Sequence, residues 1–306
     1  MENRFTITLS LAEKKGIMVN NPLKDFRAGY VALVGVPNAG KSTLLNVILG
    51  EKLSAVTSKP QTTRKKFVGV LTDEKTQIVF LDTPGLHESE KQLNKFLIRE
   101  AKEAISEADV VVFLFPKDEN ISPELFELYT KIKDEKKCLL AVTKNDLKMF
   151  PVSKIKNPIL VSCVTKEGVK TLLAEIKKLL PENPAYYPDD ILTPENLRDI
   201  ASELIREKAM MYLHEEIPYS LAVELIRFKE LPTLTHIEAN LVVEQDSQKG
   251  MVIGSGAKMI KKIGMEARTE IEKLMETKVR LELHVKVDHK WTKDPKKLAK
   301  YGYHLK

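Results

Sequence analysis

The sequence predicts a doubly wound α/β domain with a mostly parallel sheet, followed by a smaller α+β domain of element order αββααβ. Three observations carry this reading. A short apolar run, Val31–Val34, leads through Gly35-Val-Pro-Asn-Ala-Gly40-Lys41-Ser42 into a helix-like segment. Strand-like and helix-like segments then alternate as far as residue 180, the pattern of a parallel sheet with crossover helices. After a proline-rich stretch the pattern changes to one helix, two alternating strands, two helices around a glycine-bearing loop, and a last strand.

The octet Gly35–Ser42 fits G-x-x-x-x-G-K-[ST] at every fixed position, and Leu44, Leu45, Ile48 and Leu49 share one helical face after it. This is a phosphate loop. Gly35 and Gly40 allow the tight turn, so successive N–H groups of the stretch Val36-Pro37-Asn38-Ala39-Gly40-Lys41-Ser42-Thr43, Pro37 having none, can point inward at phosphate oxygens at a helix N-terminus. Lys41 is expected to reach the β- and γ-phosphates, and Ser42 to ligate Mg²⁺.

The next segment, Ala55–Arg64, is polar and β-branched. Such a loop supplies a threonine hydroxyl to Mg²⁺ and a backbone N–H to a γ-phosphate, and orders with the triphosphate. Thr62 and Thr63 are the candidates, with Thr63 preferred. Strand-like runs Phe67–Leu71 and Gln77–Leu81 follow, the second ending in Asp82-Thr83-Pro84-Gly85. Asp82 at a strand end is placed for Mg²⁺, and the Gly85 N–H for the γ-phosphate. The next residues are Leu86 and His87, where Ras-like GTPases carry a water-positioning glutamine. Leucine cannot polarise water, so His87, a potassium ion, the substrate phosphate or a partner must help. The catalytic group is unassigned, and slow intrinsic hydrolysis is expected.

Helix-like Glu90–Glu107, strand Val110–Phe115, helix-like Pro123–Glu135 and strand Cys138–Val142 continue the alternation. Then stands Thr143-Lys144-Asn145-Asp146. Guanine differs from adenine by its N1–H and 2-amino donors, and the Asp146 carboxylate accepts both; the Lys144 stem covers the base. Many GTPases have asparagine where Thr143 stands. Strand Pro158–Val161 gives Ser162-Cys163-Val164, a partial match to the S-A-K loop whose N–H groups meet guanine O6. Helix Val169–Leu180 closes the domain. Pro181–Pro188, with three prolines, reads as a linker.

In the second domain, Glu195–His214 is an amphipathic helix, and Ser220–Phe228 and His236–Val243 alternate as strands. A short helix then carries Ile253-Gly254-Ser255-Gly256-Ala257-Lys258. A second helix is expected at Met265–Met275 and a strand at Val279–Val287. That order is similar to a type II KH domain, whose G-x-x-G loop clamps a nucleic-acid backbone. Here Ala257 replaces the final glycine and adds one methyl group. Lys258, Lys261, Lys262 and Arg268 are expected around the loop.

Charge distribution agrees with a polyanion partner. Residues 191–248 hold 5 basic and 11 acidic side chains, whereas residues 249–306 hold 15 and 7, within a chain of net charge +6. Two cysteines, Cys138 and Cys163, form no metal-binding pattern and fit a reducing compartment. No apolar run approaches the roughly 18 residues of a membrane span. Residues 1–26 carry no motif, and Met18 is the expected true start. The expected organisation is therefore an N-terminal extension (1–26), a nucleotide-binding domain (27–182), a linker (183–194) and an RNA-binding domain with a basic tail (195–306).

Together GVPNAGKSTLLN, KPQTTRKKFVG, LDTPGLHE, KGMVIGSGAKMIKKIGMEAR and the tail WTKDPKKLAKYGY make the chain resemble the Era family of bacterial GTPases, over residues 27–306. The resemblance implies a GTPase that binds GTP and GDP with Mg²⁺. It implies binding of the 3′ end of 16S rRNA and a role in 30S subunit assembly. It also implies a monomer in the cytoplasm, with peripheral association at the inner face of the cell membrane in some members. Two other classes stay open from the residues: a membrane-surface signalling GTPase, and an RNA-binding module whose nucleotide is scarcely hydrolysed.

Overall fold

The computed structural model describes residues 7–8, 25–85, 92–117, 122–147 and 157–303. Residues 86–91 lie outside that set, and with them Leu86 and His87; so does Met18. The chain forms two compact units. The first comprises Met1–Lys52, Thr63–His87 and Leu97–Glu195; the second comprises Leu53–Thr62, Glu88–Phe96 and Asn196–Lys306.

The first unit is a six-stranded sheet with helices between its strands. In chain order it contains β1 (Arg27–Gly35), α1 (Lys41–Leu49), β2 (Phe67–Thr72), β3 (Thr76–Asp82), α2 (Gln92–Glu107, which enters this unit at Leu97), β4 (Val110–Pro116), α3 (Pro123–Ile132), β5 (Lys137–Thr143), β6 (Ile159–Leu160) and α4 (Val169–Leu179). The spatial order is β2-β3-β1-β4-β5-β6. Only the β2–β3 pair is antiparallel. The central strands read as unbroken apolar runs because both sheet faces are covered: Val31–Val34 and Val110–Leu114 are completely buried. Phe113 sits in this core edge-to-face with Tyr129 at 5.5 Å, and its truncation to alanine would cost about 3–5 kcal/mol.

Register carries chemistry to one edge of this sheet. Leu33 pairs with Asp82, and Gly35 with Leu114. The acidic end of β3 therefore lies beside the start of the phosphate loop. The proline-rich stretch after α4 is ordered against this unit. The Tyr186 and Tyr187 N–H groups donate to Gln77 Oε1 at 2.7 and 3.0 Å, and the Tyr186 ring packs on Tyr30 at 4.9 Å.

The second unit contains α5 (Leu197–Tyr212), β7 (Ala222–Leu231), β8 (Leu234–Val243), α6 (Asp246–Ile253), α7 (Lys258–Met275), β9 (Lys278–Val287) and α8 (Pro295–Lys300). Its sheet runs β9-β8-β7, with β8 parallel to β9 and antiparallel to β7. Local chemistry starts the helices. Asn196 caps α5 by accepting from the Asp199 N–H at 2.8 Å, and Gln245 with Gln248 forms a reciprocal capping box on α6.

The largest boundary difference from the sequence expectation is at α7. Helix α7 begins at Lys258, seven residues before the predicted Met265. Gly264 weakens a helix by about 1 kcal/mol relative to alanine. Here it lies against the Leu283 side chain, between buried Ile263 and Ala267, and tertiary packing carries the helix through. The C-terminal tail closes the unit. Trp291 is fully buried, donates from Nε1 to the Ser220 carbonyl at 3.0 Å, and packs between Tyr301 and Tyr303.

Candidate functional site: a phosphate loop, a base-reading loop and a glycine loop

The phosphate loop is folded as its residues require. Gly40 adopts φ 87°, a left-handed conformation, and α1 starts at the next residue. Lys41 is buried, and its Nζ donates to the carbonyls of Gly35 and Val36 at 3.2 and 2.9 Å. Burial lowers its ammonium pKa to about 8, against the opposing attraction of Asp82.

Three oxygens converge beside Lys41. Ser42 Oγ lies 2.7 Å from Thr63 Oγ1 and donates to Asp82 Oδ2 at 2.6 Å. Two hydroxyls and a carboxylate are hard donors of the kind Mg²⁺ takes, so the residues present fit that ion. The neighbouring Thr62 is turned elsewhere. Its Oγ1 lies 2.7 Å from Thr57 Oγ1 and donates to the Lys59 carbonyl at 2.7 Å. Of the two candidate threonines, only Thr63 joins the cluster.

Gly85 is pressed against the loop. A Cβ placed on it would stand 2.6 Å from the Pro37 backbone, far inside contact distance. Only glycine fits there, which leaves its peptide beside the phosphate site.

The residues expected from the sequence to read the base are gathered at the ends of β5 and β6. The Thr143 hydroxyl donates to the Ala39 carbonyl at 2.7 Å. Lys144 takes φ 57°, which turns the chain so that the Asn145 N–H donates to the Val161 carbonyl at 3.2 Å. Ser162 Oγ donates to Asp146 Oδ1 at 2.6 Å and accepts from the Thr165 N–H at 3.1 Å. Cys163 sits between them, its thiol pushed up to about 11 by burial and by Asp146; Val164 is exposed. Lys117 was not among the sequence candidates. Its Nζ donates to Asn145 Oδ1 at 3.1 Å, and a lone lysine after a strand gives no signal of that contact.

In the second unit the glycine loop joins α6 to α7. Gly254, Gly256 and Ala257 have φ of 70°, 57° and 59°. Ala257 thus holds a left-handed conformation that costs an L-residue about 1–2 kcal/mol. Ser255 and Gly256 are exposed, as are Lys258 and Lys261 on the first turns of α7. Lys262 lies with its Nζ 3.9 Å from the Tyr212 ring centroid, a cation–π contact. Arg268 is ten residues along α7 from Lys258, about 15 Å by helical rise, and pairs with Glu272 at 3.8 Å. The loop and Lys258 and Lys261 are together; Arg268 is apart from them.

Residues 30–144 match the family described as 50S ribosome-binding GTPase, and residues 216–292 match the KH domain. The GTPase Era of Geobacter metallireducens is 42% identical over 300 residues, spanning 94% of this chain and 100% of that protein. That of Syntrophus aciditrophicus is 40% identical over 292 residues, 91% of this chain and 95% of that one. The chain belongs to the Era GTPase family. Solved Era structures have the same fold. An Aquifex aeolicus Era variant bound to GDP·AlF₄⁻ superposes with a TM-score of 0.86 at 34% identity, covering 92% of this chain and all of that one. Era in complex with MgGDPNP and nucleotides 1506–1542 of 16S ribosomal RNA gives the same TM-score at 35% identity and the same coverage.

As an Era-family GTPase the chain hydrolyses GTP to GDP and phosphate. Its departures from the usual motifs are structurally accounted for at one position. Thr143 makes the bond to the phosphate loop with its hydroxyl, so a short side chain suffices there.

Proposed function

We propose that this protein is a GTP-gated RNA-binding factor that acts on the 3′ end of 16S rRNA during 30S subunit assembly. The observation that carries the reading is the likeness, over 92% of the chain, to an Era structure holding both MgGDPNP and a 16S rRNA segment. An exposed glycine loop with Lys258 and Lys261 beside it supports this. We assign residues 27–182 to the nucleotide-binding domain and 195–306 to the RNA-binding domain, joined by 183–194.

In this reading Gly35–Thr43 wraps the phosphates. Lys41 leaves its carbonyl partners for the β- and γ-phosphates. Ser42, Thr63 and Asp82 hold Mg²⁺, which when bound neutralises charge developing on the phosphate oxygens. The Gly85 N–H senses the γ-phosphate. Asp146, oriented by Ser162, accepts from the guanine N1–H and 2-amino groups, while the N–H groups of Cys163 and Val164 face O6. In the second unit, Ile253–Lys258 and Lys261 bind the RNA backbone. RNA and GTP favour the same protein state, so each tightens the other. Hydrolysis by the protein alone is slow, and it then releases the RNA. The two cysteines are free thiols, which supports a cytoplasmic location. Among the described residues no helix is long and apolar enough to cross a membrane.

The test is affinity for an RNA copying the 3′ end of 16S rRNA, with GDPNP and with GDP. Tighter binding with GDPNP supports the reading. Equal weak binding in the two states would refute gating.

A further inference from the structure

Helix α5 buries charges that its amphipathic pattern assigns to solvent. Arg206, Glu207 and Lys208 are 1%, 1% and 5% exposed. A charge taken out of water without partners costs several kcal/mol. Lys208 lies 3.3 Å from Glu207 and 3.5 Å from Glu270. Further partners come from Leu53–Thr62, the stretch between α1 and β2 that groups with the second unit.

The contacts run both ways. Arg206 is gripped by Glu203, with Nε donating to both carboxylate oxygens at 3.1 Å, and its Nη2 donates to the Thr62 carbonyl. Glu207 accepts from the Val56 N–H at 3.0 Å. In return, Lys59 Nζ donates to the carbonyls of Met210 at 2.5 Å, of Met211 at 3.4 Å and of Leu213. Those carbonyls end α5, where the helix dipole favours a cation. The segment is thus fixed at its start, middle and end. The residue after Thr62 is Thr63, whose hydroxyl lies 2.7 Å from Ser42 Oγ.

We propose that α5 is the anchor that sets Thr63 in its triphosphate-binding position, with Arg206, Glu207 and Lys59 as positioning residues acting through the Thr62 carbonyl and the chain around it. This rests on the reading that Thr63 ligates the Mg²⁺ of a bound triphosphate. The docked segment is the one that presents Thr63 to Ser42 and Asp82. Docking therefore favours GTP over GDP, and by linkage GTP strengthens docking. Signals from the nucleotide reach the second unit through a segment already seated on its first helix.

The experiment uses the full chain. Affinities for fluorescent GDPNP and GDP, with Mg²⁺, are measured for Lys59→Met, Arg206→Met, Lys59→Arg and Thr63→Ala. Charge-assisted hydrogen bonds of this kind imply about a ten- to hundredfold loss of GDPNP affinity in Lys59→Met and Arg206→Met, with GDP affinity within about twofold. Lys59→Arg keeps a cation at the helix end and stays near the parent. Hydrogen exchange at the Val56 amide gives an independent readout, slower with GDPNP than with GDP. If the Arg206→Met protein does not fold, Lys59→Met decides. A GDPNP-to-GDP ratio unchanged in Lys59→Met, while Thr63→Ala shifts it, overturns the anchor alone. An unchanged ratio in Thr63→Ala overturns the Mg²⁺ reading as well.

Discussion

The Thr143 hydroxyl donates to the Ala39 carbonyl at 2.7 Å, tying the end of β5 to the middle of the phosphate loop. One bond thus couples the Thr143–Asp146 loop, proposed to read the base, to the phosphate loop. Thr143→Ala removes the donor and leaves a buried carbonyl without it, a loss of about 1–2 kcal/mol. GDP and GDPNP affinity should fall together, about five- to thirtyfold, by equilibrium titration. Loss of one nucleotide only would mean that the bond acts on the γ-phosphate side instead.

Lys41 sets a pH dependence. Its pKa is lowered to about 8 by burial, against the attraction of Asp82. Bound phosphate raises it again, so binding above that pH must take up a proton. Affinity should be flat below about 8 and fall by up to about tenfold per pH unit above it. Isothermal titration at several pH values checks this; proton uptake absent at pH 9 would contradict it.

Gly85 has no room for a methyl group, since its Cβ would stand 2.6 Å from the Pro37 backbone. Gly85→Ala should lose GDPNP affinity by about tenfold or more, the cost of a displaced peptide. GDP affinity should fall less, because GDP lacks the γ-phosphate that the Gly85 N–H is proposed to meet, although the clash with the Pro37 backbone remains. Competition binding with the two nucleotides separates the cases.

Ala257 stands in a left-handed conformation at φ 59°. Ala257→Gly relieves about 1 kcal/mol of strain and removes a methyl group from the loop surface. The chain should melt a few degrees higher and bind the 16S 3′-end RNA several-fold more tightly. An unchanged RNA affinity would show that the methyl group does not obstruct the backbone.

Ser162 donates to Asp146 at 2.6 Å, and the N–H of Thr165 holds Ser162 in turn. Ser162→Ala leaves the carboxylate free to rotate. Preference for GTP over ATP should drop about five- to tenfold, through weaker GTP binding and not stronger ATP binding.

Much of this site was legible because its chemistry is local in sequence. Gly35 to Ser42 is one loop, and its glycines are needed wherever backbone N–H groups must converge. Asp82 was legible from its place at a strand end, and register with Leu33 then puts it beside that loop. The assignment of Thr63 over Thr62 was stated from sequence, but the two hydroxyls are chemically alike. Only the path of the chain separates them, one facing Ser42 and the other Thr57.

The sequence by itself determined the strand–loop–helix nucleotide site, the change from a parallel sheet to αββααβ, and the glycine loop with Ala257 at its end. Those features depend on periodicity and on residue types a few positions apart. Tertiary structure alone decided that α7 runs through Gly264, because Leu283 packs there from a distant strand. It decided that Arg206, Glu207 and Lys208 are buried, because Glu203, Glu270 and a segment some 150 residues earlier supply their partners. It decided that Tyr186 and Tyr187 sit on Gln77 and Tyr30, where proline content marked a linker without saying what it packs on. In each case the stabilising group lies far away in the chain, and no local pattern encodes it.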